Sequence, residues 1–351
     1  MSKLFNKLIL ITILVIVIAA TWTGLSLWRS LESPLNLNVE QLDYEIRTGS
    51  SLSAVVYDLA KKNIISHPRI LLWYSRLSGR SGEMQAGDYR LTSSMLTRQF
   101  LENIFSGKVI QYSLTVIEGW TFKQMLDAIK SHPHIKHTLI DVPVKDIMTR
   151  LGHSDVFYEG EFLPDTYHFP AGLTDVEFLN RAYEAMQSVL KEEWDNRAVG
   201  LIYEKPYDAL IMASIVEKET GKPEEREQIA GVFIRRLEKK MRLQTDPTVI
   251  YGMGERYKGN VRKNDLLRDT PYNTYRHSGL PPTPIALPGR DAIHAALHPA
   301  EGDALYFVSR GDGSHVFSAT LQEHNNAVIK YQLNGHVRSF SSYQYKKKAS
   351  Q

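Results

Sequence analysis

The amino-acid sequence predicts an α+β fold behind one N-terminal transmembrane helix. Its 351 residues are enough for about two domains after the apolar run with which the chain begins. Short strand-like and helix-like segments follow in uneven groups, without the sustained β-α-β alternation that is typical of a parallel sheet. We therefore expect a small α/β module first and a larger mixed α+β domain after it.

The composition excludes several classes of protein. A hydrophobic fraction of 43% and a charged fraction of 23% are those of a globular protein, not of a disordered chain. Lys and Arg outnumber Asp and Glu by only 42 to 39, whereas a dedicated nucleic-acid-binding protein has a basic excess. The chain has no cysteine, which excludes thiol catalysis and disulfides. It has no Walker or Rossmann glycine-rich loop either, so we expect no cofactor.

The first residues predict the membrane topology. Leu8–Trp28 carries no charge and has about the 20 residues that a helix needs to span a bilayer. Lys3 and Lys7 precede this run, so the positive-inside rule places residues 1–7 in the cytoplasm. The bulk would then lie outside, in the periplasm of a Gram-negative cell, anchored to the inner membrane by a single pass. The alternative is a signal peptide cleaved near residue 20, which Ile18 disfavours because a small residue is required there.

Turn and capping signals divide the rest of the chain. We expect a transmembrane helix over 8–28, a linker over 29–38, a module over 39–112, a larger domain over 113–340 and a polar tail over 341–351. Strands are predicted at Val39–Ile46, Tyr112–Ile117, Ala304–Ser309 and His315–Ala319. Helices are predicted after Ser51 and Pro68, and at Leu96–Phe105, Thr121–Lys130, Asp175–Asn196, Pro206–Thr220 and Pro223–Arg242.

The charges of Pro223–Arg242 match a helix dipole. Glutamates occupy its first turn, and basic residues including Arg235 and Arg236 lie near its end. We therefore expect a solvated helix face here and no functional site.

One carboxyl group in Pro206–Thr220 is a candidate for acid-base chemistry. Leu210, Ala213 and Ser214 share a helix face with Glu217, which places Glu217 at the end of an apolar stripe. A carboxyl group there would be partly desolvated, and desolvation raises the pKa towards that of a general acid. The alternative is a solvent-exposed Glu at a helix end. Glu219 lies on another face, and periodicity alone does not rank the two.

Three later segments combine aromatic rings with polar side chains, namely Leu243–Gly252, Pro271–Tyr275 and the proline-rich Gly279–Gly289. Rings that stack on sugar faces, with amides and hydroxyls beside them, suit a carbohydrate. The alternative is a set of packed loops with internal hydrogen bonds.

Histidines raise the question of a metal. Three lie within residues 131–137, and His294 and His298 have the i, i+4 spacing of a helix face. The second pair has Ala295 where a zinc protease has Glu, and Pro299 ends the helix. We expect no metal site, and no nucleophile elbow supports Ser/His/Asp catalysis.

Several motifs follow one another along the chain, namely Glu159-Gly160, Leu163–Tyr167 (LPDTY), Ala213–Thr220 (ASIVEKET), Leu243–Gly252, Pro271–Tyr275, Gly279–Gly289 and Gly311–Asn325. In these motifs the chain resembles the endolytic murein transglycosylase family (MltG, also called YceG-like), from the anchor nearly to the C-terminus. Glu161 and Phe162 stand where the family tends to have an aromatic and an apolar residue, Thr283 replaces a usual Gly, and Leu287 a usual polar residue.

The resemblance implies an inner-membrane lyase that cuts nascent peptidoglycan strands internally at the MurNAc-GlcNAc bond. Such an enzyme leaves 1,6-anhydroMurNAc ends and terminates strand elongation. The resemblance implies that Glu217 is the catalytic residue and that the first module is LysM-like, which the Gly49–Ile65 stretch fits. By residue type and motif membership, the candidates for sugar contacts and for positioning Glu217 are Tyr272, Asn273, Tyr275, Thr245 and Asp246.

Two other functions stay open at this point. A muramidase would hydrolyse the same bond with water and would need a second carboxylate, for which Asp246, Asp165 or Glu161 could serve. A non-catalytic envelope protein would bind glycan strands and recruit partners. An enzyme that ends growing strands is expected beside peptidoglycan synthases, although the sequence shows no docking surface for them.

Overall fold

The chain begins with a long apolar helix, α1 (Ser2–Leu31). The computed structural model describes residues 2–333, with side chains from Phe5 onward, so the predicted polar tail at 341–351 lies outside the described residues. Phe5–Leu31 is long and apolar enough to cross a membrane, and the rest of the protein does not cover its most apolar stretch. The helix continues three residues beyond the predicted end at Trp28, into the expected linker.

The contacts within the chain divide it into two units. The first unit comprises Met1–Ser113 and His168–Leu173, and the second comprises Leu114–Tyr167 and the rest of the described chain from Thr174. In chain order the first elements are β1 (Gln41–Ile46), α2 (Leu52–Lys61), α3 (Pro68–Leu77), β2 (Gly87–Thr92) and α4 (Thr97–Ser106).

The first unit is a small α/β module around one antiparallel strand pair. Strands β1 and β2 pair from Gln41 opposite Thr92 to Ile46 opposite Gly87. The predicted cap of α2 is confirmed, since Ser51 Oγ accepts a hydrogen bond from the N–H of Ala54. The apolar faces of α2, α3 and α4 share one core with this strand pair and with the end of α1, where Leu31 is buried.

The remaining elements follow the same chain order. They are β3 (Tyr112–Thr115), α5 (Phe122–Ser131), β4 (Ile135–Lys136), α6 (Ile147–Arg150), β5 (Thr166–Phe169), β6 (Leu173–Thr174), α7 (Asp175–Asp195), α8 (Pro206–Glu219), α9 (Arg226–Glu238), α10 (Asp246–Met253), α11 (Lys263–Leu267), α12 (Arg290–Leu297), β7 (Tyr306–Ser309), β8 (His315–Ser318) and α13 (Leu321–Tyr331).

Helix α8 forms the centre of the second unit. Every residue from Ala209 to Val216 is buried, because α7, α9, α10 and α12 pack around it. Pro206 opens the helix, and the Asp208 carboxylate accepts the N–H of Lys205 at 3.2 Å. The charged residues of this helix lie at its two ends, and Ser214 is the polar residue in the buried stretch between them.

The C-terminal part is the predicted hairpin. Strands β7 and β8 pair from Tyr306 opposite Ser318 to Ser309 opposite His315, and α13 packs on them through Val328. The α+β class is confirmed, and among residues 2–333 one helix, at the N-terminus, is long and apolar enough to cross a membrane.

The expectation of a solvated helix over Pro223–Arg242 is wrong in two respects. Pro223–Glu225 is a 3₁₀ turn, so α9 begins only at Arg226. Arg236 is buried, and its guanidinium donates to the carbonyls of Leu305 and Leu243. The Leu305 carbonyl is 69 residues away and the Leu243 carbonyl lies beyond the end of α9, so the charge pattern along the helix could not reveal them.

One hydroxyl ties α8 to the proline-rich segment at 279–289. Ser214 is fully buried, and its Oγ donates to the Ile211 carbonyl and accepts the N–H of Ile285 at 3.0 Å. We expect Ser214→Ala to lower the free energy of unfolding by about 1–3 kcal/mol, because the Ile285 N–H is left buried and unpaired. Urea denaturation measures the change.

The control for this substitution is Ser131→Ala. The Ser131 hydroxyl is exposed and donates only to the Asp127 carbonyl of its own helix, so its removal should change stability by less than about 0.5 kcal/mol. Equal losses in the two variants would contradict the assigned role of Ser214.

Candidate active site

Glu217 lies in the last turn of α8 and is enclosed by a turn from another part of the chain. Its side chain is only 7% exposed. Its Oε2 accepts the N–H of Gly289 at 3.1 Å, and its Oε1 lies 3.7 Å from Arg226 Nη2. The predicted position at the end of an apolar stripe is therefore confirmed, and the alternative of a solvent-exposed Glu is wrong.

Burial decides the protonation of Glu217. It raises the pKa of the Glu217 carboxyl above its usual value, and the negative charge of nearby Glu118 raises it further. The Gly289 N–H and the cations of Arg226 and Lys218 lower this pKa by less. A carboxyl group in such surroundings holds its proton more tightly than an exposed one and can donate it to a bound molecule.

Arg226 connects Glu217 to two further carboxylates. Its side chain is 9% exposed, and it donates to Asp291 Oδ2 at 3.0 Å and to Glu118 Oε2 at 3.3 Å. The side chains of Glu118 and Asp291 are 46% and 71% exposed. One guanidinium therefore joins a buried acid to two carboxylates that water reaches.

A tight turn carries Glu118 to this place. Trp120 N–H donates to the Ile117 carbonyl at 3.2 Å, and Gly119 between them has φ +76°, which favours glycine. Gly119 N–H donates to the Leu287 carbonyl, and Leu287 N–H donates back to the Trp120 carbonyl. These paired bonds hold the turn against the proline-rich segment.

Gly289 lies in close contact with the Glu118 side chain. A Cβ at this position would overlap the Glu118 carboxylate, so any other residue would displace it. Gly289 is also the N-cap of α12, with φ −74°. Its N–H is therefore aimed at Glu217, and its missing side chain leaves room for Glu118.

The second glutamate of the motif has different surroundings. Glu219 accepts a hydrogen bond from Thr245 Oγ1, and burial raises the pKa of its carboxyl to about 7. Its neighbours include Asp246 and Arg236. Thr245 therefore bonds Glu219, and we assign it no contact with Glu217.

The five residues proposed for sugar contacts are held mainly by one another and by backbone. Asn273 is 1% exposed, and its amide donates to the carbonyls of Leu266 and Arg268. Tyr275 Oη donates to Asp246 Oδ1 at 2.6 Å. Buried Asn273 braces the loops in this conformation, as the packed-loop alternative predicts.

Tyr272 is more open than Asn273. Its hydroxyl pairs with Thr283 Oγ1 at 2.8 Å, and its ring packs edge-to-face on Tyr251 with centroids 4.8 Å apart. Thr283, one of the departures from the family pattern, thus supplies a hydroxyl partner to the ring.

The carboxylates considered for a muramidase lie elsewhere. Glu161 is buried and accepts from Gln187 Nε2 at 2.7 Å, while Asp165 accepts the N–H of Thr166 at 2.6 Å. The carboxylates that share Arg226 with Glu217 are Asp291 and, on the same nitrogen as Glu217, Glu118, which sequence reasoning missed. Its signal was an acid followed by Gly directly after a predicted strand.

The i, i+4 histidines pair with α7. Glu193 accepts from His294 Nδ1 at 2.8 Å and from Arg290 Nε at 2.9 Å, while His298 Nε2 bonds the Asn196 carbonyl at 2.9 Å. Although Glu193, His294 and His298 lie close enough to share a cation, the guanidinium of Arg290 already supplies positive charge. The absence of a metal stays a prediction.

A buried acid with an arginine and a second carboxylate is an arrangement that can carry out general acid-base chemistry. Residues 44–330 match the sequence profile of the YceG-like family. The chain belongs to the YceG-like family, and the resemblance read from its motifs is confirmed.

Named relatives and a solved structure extend this match. The endolytic murein transglycosylase of Bacillus subtilis is 34% identical over 311 residues, which cover 83% of this chain and 84% of that protein. The protein of the same name from Streptococcus pneumoniae D39 is 27% identical over 82% of this chain and 58% of its own length. The crystal structure of a yceG-like protein from Listeria monocytogenes has 32% identity and a TM-score of 0.51, covering 82% of this chain and 99% of that one.

Buried Glu161 should make stability depend on pH. Burial raises the pKa of its carboxyl to about 7 from 4.5, so the folded state holds this proton more tightly than the unfolded state. The stabilisation is complete below about pH 4.5 and is lost as pH rises through 7. As pH rises, we expect the free energy of unfolding of Glu161→Gln to increase relative to that of the natural protein. The increase should be no more than about 3 kcal/mol.

Urea denaturation at a series of pH values measures this difference. Exposed Glu184 lies on the same helix as Gln187, and Glu184→Gln is the matched control, with a curve parallel to that of the natural protein. A Glu161→Gln curve that is also parallel would show that Glu161 ionises normally in the folded protein.

Proposed function

We propose that this protein is a membrane-anchored endolytic murein transglycosylase. It cuts the MurNAc-GlcNAc bond inside nascent peptidoglycan strands, leaves 1,6-anhydroMurNAc ends and so terminates strand elongation. The observation that carries the proposal is the buried carboxyl of Glu217 on Arg226 and Gly289, in a chain 34% identical to a protein of that name.

A single carboxyl group is enough for this reaction. Glu217 gives its proton to the glycosidic oxygen, and the GlcNAc side leaves as an alcohol while positive charge develops at C1 of MurNAc. The N-acetyl group of MurNAc stabilises this charge. The Glu217 carboxylate then takes the proton of the C6 hydroxyl while the oxygen of that hydroxyl bonds to C1. This proton transfer restores the Glu217 acid. Water takes no part.

The surroundings of Glu217 support both halves of this cycle. Burial favours the protonated acid that begins it. The Gly289 N–H and the Arg226 guanidinium favour the carboxylate formed halfway, since both interact more strongly with a negative oxygen. One residue can therefore act as acid and then as base near neutral pH.

A hydrolytic muramidase is the second candidate function. The observation that favours it is that Glu118 and Glu217 share one guanidinium nitrogen, at 3.3 and 3.7 Å. A second carboxylate at such range could activate water. Its products would carry reducing ends.

Helix α1 is the proposed single-pass anchor. We propose that residues 1–7 lie in the cytoplasm and that the bulk is periplasmic, because Lys3 and Lys7 precede the apolar run. Peptidoglycan synthases are expected nearby, since they produce the strands that this enzyme cuts.

The first unit is the proposed LysM-like, glycan-binding module. Its support is the order of its elements, with a strand, a Gly-Ser turn at residues 49–50, two helices and a second strand that pairs with the first. By binding glycan, it would hold a strand near the cutting domain in the same chain.

The acid-base role predicts the behaviour of Glu217→Gln. Full-length protein in detergent should convert nascent, uncrosslinked strands to fragments with 1,6-anhydro ends, detected by mass spectrometry. Glu217→Gln has no proton to donate, so we expect its rate to fall at least about 100-fold.

Glu224→Gln is the matched control, because Glu224 is an exposed residue of the 3₁₀ turn. It should keep the natural rate. An active Glu217→Gln would overturn the assignment of the acid, and reducing ends from the natural protein would indicate hydrolysis.

The lack of cysteine allows a direct test of topology. Single cysteines at Asn6→Cys and at exposed Ser81→Cys lie on opposite sides of the apolar run Leu8–Trp28 in the sequence. A membrane-impermeant maleimide should label Ser81→Cys on intact spheroplasts and Asn6→Cys only after lysis. Labelling of Asn6→Cys on intact spheroplasts would contradict the proposed orientation.

A further inference from the structure

Carboxyl groups outnumber the single positive charge of Arg226 before any reaction takes place. Its single positive charge faces Asp291 at 3.0 Å and Glu118 at 3.3 Å, and only then Glu217 at 3.7 Å. The guanidinium therefore already donates hydrogen bonds to two carboxylates. Ionisation of Glu217 would add a third negative charge to one positive charge, which is unfavourable in a buried place.

Glu118 is held in this arrangement by contacts other than its ion pair. Its turn is bonded to Leu287 in both directions, and Lys218 Nζ donates to the Gly119 carbonyl at 3.0 Å. Its carboxylate fills the space that a side chain on Gly289 would need. Helix α8, which carries Glu217, therefore contacts the turn of Glu118 through Lys218. Gly289, whose N–H bonds Glu217, lies against the Glu118 carboxylate.

We propose that Glu118 is a positioning residue that acts through Arg226, keeping Glu217 protonated until the glycosidic bond breaks. This inference rests on the proposed role of Glu217. When Glu217 gives its proton to the leaving oxygen, its new negative charge attracts Arg226 away from Glu118. When the carboxylate takes the C6 hydroxyl proton, Arg226 returns to Glu118 and the resting charges are restored.

The charged groups around Glu217 fix the direction of the expected change. Glu118 comes from the turn after β3, Lys218 from α8, Arg226 from α9 and Asp291 from α12 through Arg226. Without the charge of Glu118, Asp291 would be the one carboxylate that competes with Glu217 for Arg226 among the described residues. Loss of a negative neighbour and release of a cation both favour the carboxylate form of Glu217.

The test is the pH dependence of kcat/KM in the full-length protein. The rate falls as pH rises through the pKa of the acid, and this fall is the alkaline limb of the pH profile. Glu118→Gln should shift the alkaline limb to lower pH by about one unit. Above the limb its rate should then be about tenfold below that of the natural protein. Glu118→Asp keeps the charge and should restore the limb towards its natural position.

Glu255→Gln is the matched control. Glu255 pairs with Lys123 on the surface, and its side chain is 89% exposed. The alkaline limb of this variant should coincide with that of the natural protein. An unshifted Glu118→Gln limb, or equal shifts in the Asp and Gln variants, would overturn the inference.

The two proposals fail in different ways. If the natural protein forms anhydro ends and Glu217→Gln does not, an unshifted Glu118→Gln limb overturns the role of Glu118 alone. If Glu118→Gln is inactive at every pH, a carboxyl ¹³C NMR titration of Glu217 tests the role of Glu118 in place of the rate profile. A Glu217 pKa that is lower in Glu118→Gln supports the inference, and an equal pKa overturns it.

Discussion

The burial of one carboxyl group is the constraint on which the second unit depends. Glu217 can be buried because α8 beneath it is buried on all sides, from Ala209 to Val216. A buried carboxylate needs partners, and the Gly289 N–H and Arg226 supply them without forming a close ion pair. The proline-rich segment places Gly289, and the 3₁₀ turn before α9 sets where Arg226 begins its helix.

The proline-rich segment is therefore as important as the helix. Ile285 bonds to Ser214 and Gly289 to Glu217, one turn apart along α8. Between them, Leu287 exchanges hydrogen bonds with the turn that carries Glu118. The segment thus joins two elements that could otherwise move independently, and the family's polar and aromatic loops brace it. Tyr272 belongs to that bracing, since its hydroxyl pairs with Thr283 Oγ1 in the segment.

The sequence predicted what depends on local pattern. The helix at 206–220, its apolar face and the position of Glu217 follow from periodicity, and the hairpin at 311–313 follows from turn residues. The site depends on partners distant in the chain. Arg226 meets Glu118 across 108 residues, and Gly289 meets Glu217 across 72, and no periodicity encodes such pairs. For the same reason the charge pattern predicts a solvated Arg236, although Arg236 bonds the carbonyl of Leu305, 69 residues away.

The source of the new oxygen at C1 tests the central claim most directly. If Glu217 acts as acid and then as base for the C6 hydroxyl, that oxygen comes from the sugar itself. Digestion of nascent strands by the natural protein in water enriched in oxygen-18 should then give fragments whose new MurNAc ends carry no label in mass spectra. Oxygen-18 at those ends would show that water attacks C1, and the single-carboxyl account would be wrong.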